Sequence, residues 1–485
     1  MTTRLNNRMI DGAAVNVRDF GAVGDGVTDD TAAIQAAFDS EITILSGVGT
    51  FRISGPITND VEREIKDMSF ISASGTVAET GLHTTAALRA TNCKFNGMGA
   101  AIVVDSTIDY LYINDCTFIN HEHFAVGVES TNTTVNIPRI RLTNNGLQSC
   151  SYGFDLSCGY TTCQVLGNTF QYFNNGAGAG AVRIGQFTSV TRINCQVNDN
   201  IIQDITSYGG TGSTFGIQVL DARVVTVNDN ALRTLDNDDS DDCEGIYIRS
   251  IESINVSGNA LSDAAAREGM ITLKGGIVNC VSNTLIQSDG FNKAPGISVQ
   301  AVTAFVSSNL IKNPTNAAIW INNNVEHLTV SDNYCYGLKT SAESISNTEN
   351  AFIYSRLTNP NSTRFVIKGN TFEGPVQLLD TSRTTCVMCL HAPATLYHIE
   401  HNTFNVLDGV TAIMTFRGTP NNALVFSNTM MTSDSAALGI QVGTTGGLKK
   451  LHAVGNYYNG FTPGQEYALS GTPPTDLQQL QEVIT

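Results

Sequence analysis

One short pattern of apolar and polar positions recurs along most of the chain: an alternating apolar stretch, two further residues, an Asn, then a second apolar pair. It reads CQVLGNTF, CQVNDNII, VTVNDNAL, INVSGNAL, VNCVSNTL, AFVSSNLI, LTVSDNYC, FVIKGNTF, YHIEHNTF, LVFSNTMM and LHAVGNYY. The shared residues are Asn168, Asn200, Asn230, Asn259, Asn283, Asn309, Asn333, Asn370, Asn402, Asn428 and Asn456, which puts one copy at about every 29 residues. A second phrase runs between these asparagines: GFDLS at Gly153, AVRIG at Ala181, GIQVL at Gly216, GIYIR at Gly245, GISVQ at Gly296, AIWIN at Ala318 and GIQVG at Gly439. Alternation with a period of two predicts short strands. Each repeat therefore holds at least two strands joined by tight turns, with no helical pattern to bridge them.

A repeat of this size cannot bury its own apolar face, but stacked copies can. The expected architecture is all-β, a solenoid of β-coils whose neighbours lie about 4.8 Å apart, the spacing of hydrogen-bonded strands. Ile, Val, Leu and Cys point inward. The recurring Asn is expected at a bend, where Asn tolerates the left-handed conformation, and its amide can hydrogen-bond along the stack. A solenoid of helical repeats would need more Glu, Lys and Arg than the chain has.

The ends depart from the repeat. Near the start, Thr28-Asp29-Asp30 precedes TAAIQAAF, with Ile34, Ala37 and Phe38 at helical spacing, which predicts a capping helix. After Pro473-Pro474, the word Thr475-Asp476-Leu477-Gln478 suits a helix start, and Leu477, Leu480 and Ile484 would share one face. That stripe has little to pack against in its own chain and predicts an oligomer contact, with simple end-capping as the alternative. The organisation expected is a leader of residues 1–14, a capped β-helix over residues 15–462 and a tail of residues 463–485 that makes a trimer contact.

Charge and composition narrow the functional classes. The chain of 485 residues has 27 Lys+Arg against 44 Asp+Glu, a net charge of −17, and only 15% of its residues are charged. Bulk charge of this sign repels phosphate, so no nucleic-acid partner is expected. No run of 18 apolar residues exists, so no membrane insertion is expected. The opening MTTRLNNRMIDG lacks the apolar core of a signal peptide, and the expectation is a protein made in a cytoplasm. The 11 Cys are scattered at strand-like positions and read as small buried hydrophobes, with Cys386 and Cys389 a lone CxxC.

The stretch Val15 to Ala37, VNVRDFGAVGDGVTDDTAAIQAA, closely resembles the opening of the pectate lyase-like superfamily. The words Asp19–Ala22 and Gly24–Thr31 carry the likeness, and the coil repeats extend it over roughly residues 15 to 460. The resemblance implies a right-handed parallel β-helix. Within the superfamily the chain looks most like a bacteriophage tailspike or tail fibre protein. That implies a homotrimer on the virion tail, joined to tail or adaptor proteins, which binds or cuts host capsule or lipopolysaccharide at the cell surface.

Cleaving a glycan needs two carboxyl groups flanking the bond. Glu244-Gly245 and Glu268-Gly269 lie 24 residues apart, each just before a strand, and Asn259 to Asn283 is also 24. Matching registers would stack the two glutamates, and a slip of one residue at Met270-Ile271 would offset them. Proximity would keep one of them protonated as a general acid, with Asp241 or Asp242 as base or electrostatic partner. Depolymerisation, by hydrolysis rather than elimination, is the expected chemistry, and a solvated acidic turn with binding alone is the alternative. The block also resembles the polygalacturonase pattern at Asp241-Asp242-Cys243. Arg267-Glu268-Gly269, however, has Glu where that family has His, and no Arg-Ile-Lys word follows.

The outward positions of the Gly-Ile strands form a column of Asp155, Arg183, Gln218, Tyr247, Ser298 and Trp320. A second column holds Arg249, Gln300 and Asn322. Polar groups interleaved with aromatics suit sugars, so Asp155, Arg183, Gln218, Tyr247, Arg249 and Trp320 are the candidate glycan-binding residues. No cofactor or metal is expected. Ca2+ is the one ion the acidic block suggests, through the alternation of Asp236, Asp238, Ser240, Asp242 and Glu244, although the Gly and Glu that a calcium loop wants at its sixth and twelfth positions are missing. His121-Glu122-His123 would put two His on one strand face, with no third ligand apparent.

Overall fold

A computed structural model describes residues 14–73, 80–128, 134–175, 178–185, 191–207, 214–237, 243–264, 269–288, 295–322, 325–340, 350–355, 364–378, 385–391, 394–406, 410–416, 422–433, 437–442, 450–462, 465, 467–469, 476–480 and 483–484. The chain divides into two compact units, residues 1–226 with 237–240 and residues 227–236 with 241–485. Each is an all-β parallel solenoid in which a strand pairs with its counterpart one coil earlier and one coil later. Three strands make a coil. One coil of the first unit, for example, runs Tyr160–Leu166, Thr169–Asn175 and Gly180–Ile184.

The recurring Asn explains why coils of unequal length stack in register. In the second unit its side chains form an unbroken ladder. Each Nδ2 donates to the Oδ1 of the next coil's Asn, from Asn230 through Asn259, Asn283, Asn309, Asn333, Asn370, Asn402 and Asn428 to Asn456, always at 2.9–3.0 Å. The same Oδ1 also accepts the backbone N–H of the preceding Asn, as Asn309 does from Asn283 at 2.9 Å. In the first unit the ladder runs Asn145, Asn168, Asn200 and is preceded by thiols: the Cys116 N–H donates to Asn145 Oδ1 and the Cys93 N–H to Cys116 Sγ. These asparagines are fully buried, and the ladder satisfies their amides without water.

The expectation that the Asn itself adopts the left-handed conformation is wrong by one residue. The residue before it does so: Asn144, Gly167 and Asp199 in the first unit, and Asp229, Gly258, Ser282, Ser308, Asp332, Gly369, His401, Ser427 and Gly455 in the second, with φ between 50° and 67°. The physical reason is a division of labour. The corner residue turns the chain outward, where Gly, Asn, Asp and Ser tolerate positive φ, and the next residue must then point between the coils. The glycine of the Gly-Ile phrase has a different cause. A Cβ on Gly153, Gly245 or Gly296 would lie 2.4–2.5 Å from the next coil's carbonyl oxygen, so only Gly permits the approach.

The core is a set of stacked columns. Phe51, Phe70, Phe95 and Phe118 are register partners in the first unit, with successive ring centroids 6.4, 5.1 and 5.4 Å apart. All eleven cysteines are free and buried. The predicted N-terminal helix is present as Thr31–Phe38, and Ile34, Ala37 and Phe38 are its buried residues. Its signature word is structural. Asp30 accepts the Val23 and Gly24 N–H groups at 2.6 and 3.0 Å, and Asp29 binds Thr31 and Ser54. Those hydroxyl and N–H bonds, Ser54 first, hold the Asp29 carboxyl below its ordinary range. The helix expected near the C-terminus is instead a strand, Asp476–Leu480, paired in register with Lys450–Val454. An extended ladder edge offers these residues backbone partners that an isolated short helix lacks. No helix among the described residues is long and apolar enough to cross a membrane.

Candidate functional site

In the first unit the predicted outward column is continuous: Val103 pairs with His83 and Gly127, Gly127 with Asp155, Asp155 with Arg183 and Arg183 with Gln218. Arg183 Nε donates to Asp155 Oδ1 at 2.9 Å, and its Nη2 bonds the other carboxylate oxygen, a two-pronged ion pair. The side chains are only 16% and 10% exposed. The guanidinium also lies 4.2 Å from the centre of the Tyr152 ring, whose other neighbour is Phe215 at 6.0 Å. Burial pulls the Arg183 pKa down, but the bond and charge of Asp155 outweigh it and hold it above its usual value. Arg183 is thus committed to Asp155. The pair, its tyrosine and Gln218 form a fixed polar–aromatic surface with rotamers already set, which lowers the ordering cost of binding.

Sequence reading missed Tyr152 and a dyad nearby. His83 Nδ1 lies 2.6 Å from Asp105 Oδ2, with both side chains about a quarter exposed. His83 lies on the strand Thr80–Thr84, and the coil register brings Asp105 to it. His121 and His123 do not share a face. The strand register is irregular between His121 and Phe124, so His121 is buried between the Met98 and Phe95 carbonyls while His123 is exposed. Burial lowers the His121 pKa to about 4. No group of three or more His, Cys, Asp or Glu among the described residues could hold a metal ion.

In the second unit the column is Tyr247, Thr272, Ser298, Trp320 and Tyr354. Arg249, Lys274 and Gln300 run beside it, and the Lys274 ammonium sits 5.1 Å from the Tyr247 ring centre. Thr272 and Lys274 were missed because their coil, ITLKG, lacks the Gly-Ile phrase. Trp320 occupies its expected register but is only 5% exposed, clustered with Tyr354, Cys386 and Cys389, and its buried indole N–H meets no acceptor among the described residues. It is a covered residue of the outer column, not an open stacking platform.

Glu244 is half-buried at the start of the strand Cys243–Ser257. Asp241, Asp242 and Glu268, like Asp238 and Ser240, lie outside the described residues. The register still bears on the glutamate pair. Ile246 pairs with Ile271, an offset of 25, and a bulge between Arg249 and Ser253 then resets the offset to 24 at Ile254 and Val278. The spacing of 24 read from Asn259 and Asn283 therefore does not carry back to the Gly-Ile strand. Continued past its first pair, the ladder would set Glu244 opposite Gly269, one residue beyond Glu268.

Residues 14–243 match a family model described as rhamnogalacturonase A/epimerase, pectate lyase-like, which supports a pectate lyase-like origin for that part of the chain. Over 45 residues the chain is 56% identical to the mannuronan C5-epimerases AlgE5 and AlgE2 of Azotobacter vinelandii, a match covering 8% of this chain and 4% of each epimerase. Among solved structures, it is similar to PfbA, a surface adhesin of Streptococcus pneumoniae, with TM-score 0.32 and 12% identity over 74% of this chain and 91% of that one. It is also similar to the Dettilon tailspike protein, with TM-score 0.30 and 13% identity over 96% of this chain and 68% of that one.

Proposed function

We propose that the protein is a trimeric phage tailspike that binds a bacterial surface polysaccharide along its outward columns and depolymerises it at the host cell surface. The observation that carries the reading is the prearranged polar–aromatic surface of Tyr152, Asp155, Arg183 and Gln218, set on a rigid parallel sheet. Sugars offer hydroxyls and flat C–H faces, and such a surface answers both. The phage assignment rests on the likeness of the leader that precedes VNVRDFGA to phage tail proteins, with attachment through residues 1–14 or an adaptor protein and the trimer contact in residues 463–485. In this reading Glu244 and Glu268 carry hydrolysis with Asp241 or Asp242 assisting, Tyr247 and Arg249 contribute to glycan binding while the covered Trp320 does not, and no cofactor is required.

A second reading, a non-catalytic receptor-binding tail protein of the same fold, is favoured by the offset of 25 at Ile246, which works against stacked glutamates. Incubation with capsule or lipopolysaccharide separates the two. New reducing ends report hydrolysis, ultraviolet absorbance of an unsaturated product reports elimination, and retention without either reports binding alone. Glu244→Gln and Glu268→Gln should each abolish cleavage while retaining binding. Full activity in both removes this site.

A further inference from the structure

The first unit carries a pair of side chains that depolymerisation at Glu244 and Glu268 does not use. His83 lies in register with Thr58 on one neighbouring coil and with Val103 on the other. Asp105 follows Val103 by two residues, and its N–H donates to the Thr84 carbonyl at 3.2 Å. That anchor sets its carboxylate 2.6 Å from His83 Nδ1. A carboxylate has no proton to give, so Nδ1 carries one and donates it, which fixes the tautomer of the neutral ring. Nε2 is left with its lone pair. It meets no donor among the described residues, and the His83 side chain is 30% exposed. Thr58 is exposed, and it flanks His83 from the coil opposite Asp105.

Beyond this dyad the outward row has a bare stretch. Val103 is buried, and its register partner Gly127 has no side chain. A Cβ on Gly127 would lie 2.7 Å from the Phe124 ring, so that ring lies across the place a side chain would take. Phe124 is half-buried and is the register partner of Tyr152, whose ring meets the Arg183 guanidinium. The dyad therefore stands two coils, roughly 10 Å, from an aromatic floor that suits the flat face of a sugar. Glycosidic cleavage would need two available carboxyl groups. Here Asp105 is engaged by His83 and Asp155 by Arg183. Ester hydrolysis needs one positioned base and a water, which is what the dyad offers.

We propose that His83, held by Asp105, is the general base of an esterase site that removes acyl groups from sugar hydroxyls. Nε2 takes a proton from a water as the water oxygen bonds to the acyl carbon. The bond from that carbon to the sugar oxygen then breaks, and the proton on Nε2 passes to the departing oxygen. The products are a carboxylic acid and a free sugar hydroxyl. His83 is the catalytic residue and Asp105 a positioning residue. This activity goes beyond depolymerisation and rests on the proposed glycan binding only for the carrier of the acyl group.

The test is acetate release by the full chain from p-nitrophenyl acetate and from O-acetylated dextran. The wild type should hydrolyse both. His83→Gln should lower kcat/KM at least roughly 100-fold, the contribution of a positioned base. Asp105→Asn can present an amide N–H to Nδ1 and favour the other tautomer, so it should lower kcat at least roughly tenfold with KM unchanged. Both side chains are partly exposed, so both variants should unfold at the wild-type temperature. Equal release by wild type and His83→Gln overturns the inference and reduces the dyad to a surface ion pair. So does a loss of release matched by an equal loss of folded protein. If capsule or lipopolysaccharide is bound while neither ester is cleaved, the inference falls and the proposed glycan function stands. If p-nitrophenyl acetate alone is cleaved and no polysaccharide is bound, the glycan function and the sugar-ester substrate fall together.

Discussion

Removing one amide from the middle of the Asn ladder gives the sharpest test of what holds the coils in register. In Asn309→Ala the Asn283 backbone N–H loses its acceptor at 2.9 Å, and the Cys280 carbonyl loses a donor at 3.0 Å. The Asn283 Nδ2 retains Val256 O at 3.0 Å, so it is not stranded. One buried N–H without a partner costs about 1–3 kcal/mol, and the lost Nδ2 bonds of Asn309 add about 1 kcal/mol. The expected loss is therefore about 2–4 kcal/mol. Asn309→Asp separates polarity from shape. A carboxylate can still accept from Asn283, but it faces the Asn333 Oδ1 that Nδ2 now meets at 2.9 Å. Burial and that oxygen disfavour its charge, so its folded pKa is raised above the unfolded value of about 3.9. The Asp penalty should then be small below that value and grow as pH rises through it toward the folded pKa, whereas the Ala penalty should not vary with pH. Because a solenoid unfolds in local steps, the assay should combine denaturant titration with hydrogen exchange of peptides spanning Asn283. An Ala variant within about 0.5 kcal/mol of wild type, with unchanged protection at Asn283, would refute the account.

Three further outcomes follow from the geometry. His121 has a pKa lowered by burial to about 4 against about 6.5 unfolded, so the unfolded state binds the extra proton between these values. Stability should be full above about pH 6.5 and fall as pH drops toward 4, by on the order of 3 kcal/mol, and His121→Gln should flatten that slope; an unchanged slope contradicts the assignment. Asp30→Ala strands the Val23 and Gly24 N–H groups and should cost about 2–4 kcal/mol by thermal or urea unfolding, with a loss under about 0.5 kcal/mol arguing against a structural role. Arg183→Gln leaves Asp155 charged and little exposed and should destabilise by about 2 kcal/mol, partly restored in Asp155→Asn/Arg183→Gln; strictly additive losses would mean that the pair is not coupled.

The repeat was legible because both of its ingredients are local. Apolar alternation and an Asn at fixed position after it specify a strand and a corner, and their recurrence specifies stacking. Hence the coil, the inward Cys and the helix of Ile34, Ala37 and Phe38 are all readable from the chain. The outward column was readable for the same reason, since parity in Gly-Ile strands assigns Asp155, Arg183 and Gln218 to one face. Parity does not say what lies above a face. It set Trp320 in the correct register but could not reveal that the residue is covered, nor that Arg183 is spent on Asp155.

What the tertiary structure alone decided is everything that depends on the offset between coils. That offset is 25 at Ile246 and 24 at Ile254, because a bulge after Arg249 absorbs one residue, and no spacing between asparagines records a bulge. The same holds for His83 and Asp105, which lie 22 positions apart in sequence and meet only because the register brings them together. Sequence fixes periodicity through short-range sterics and hydrophobicity. Register is set by where each coil takes up its extra residues, which is a property of the stacked whole.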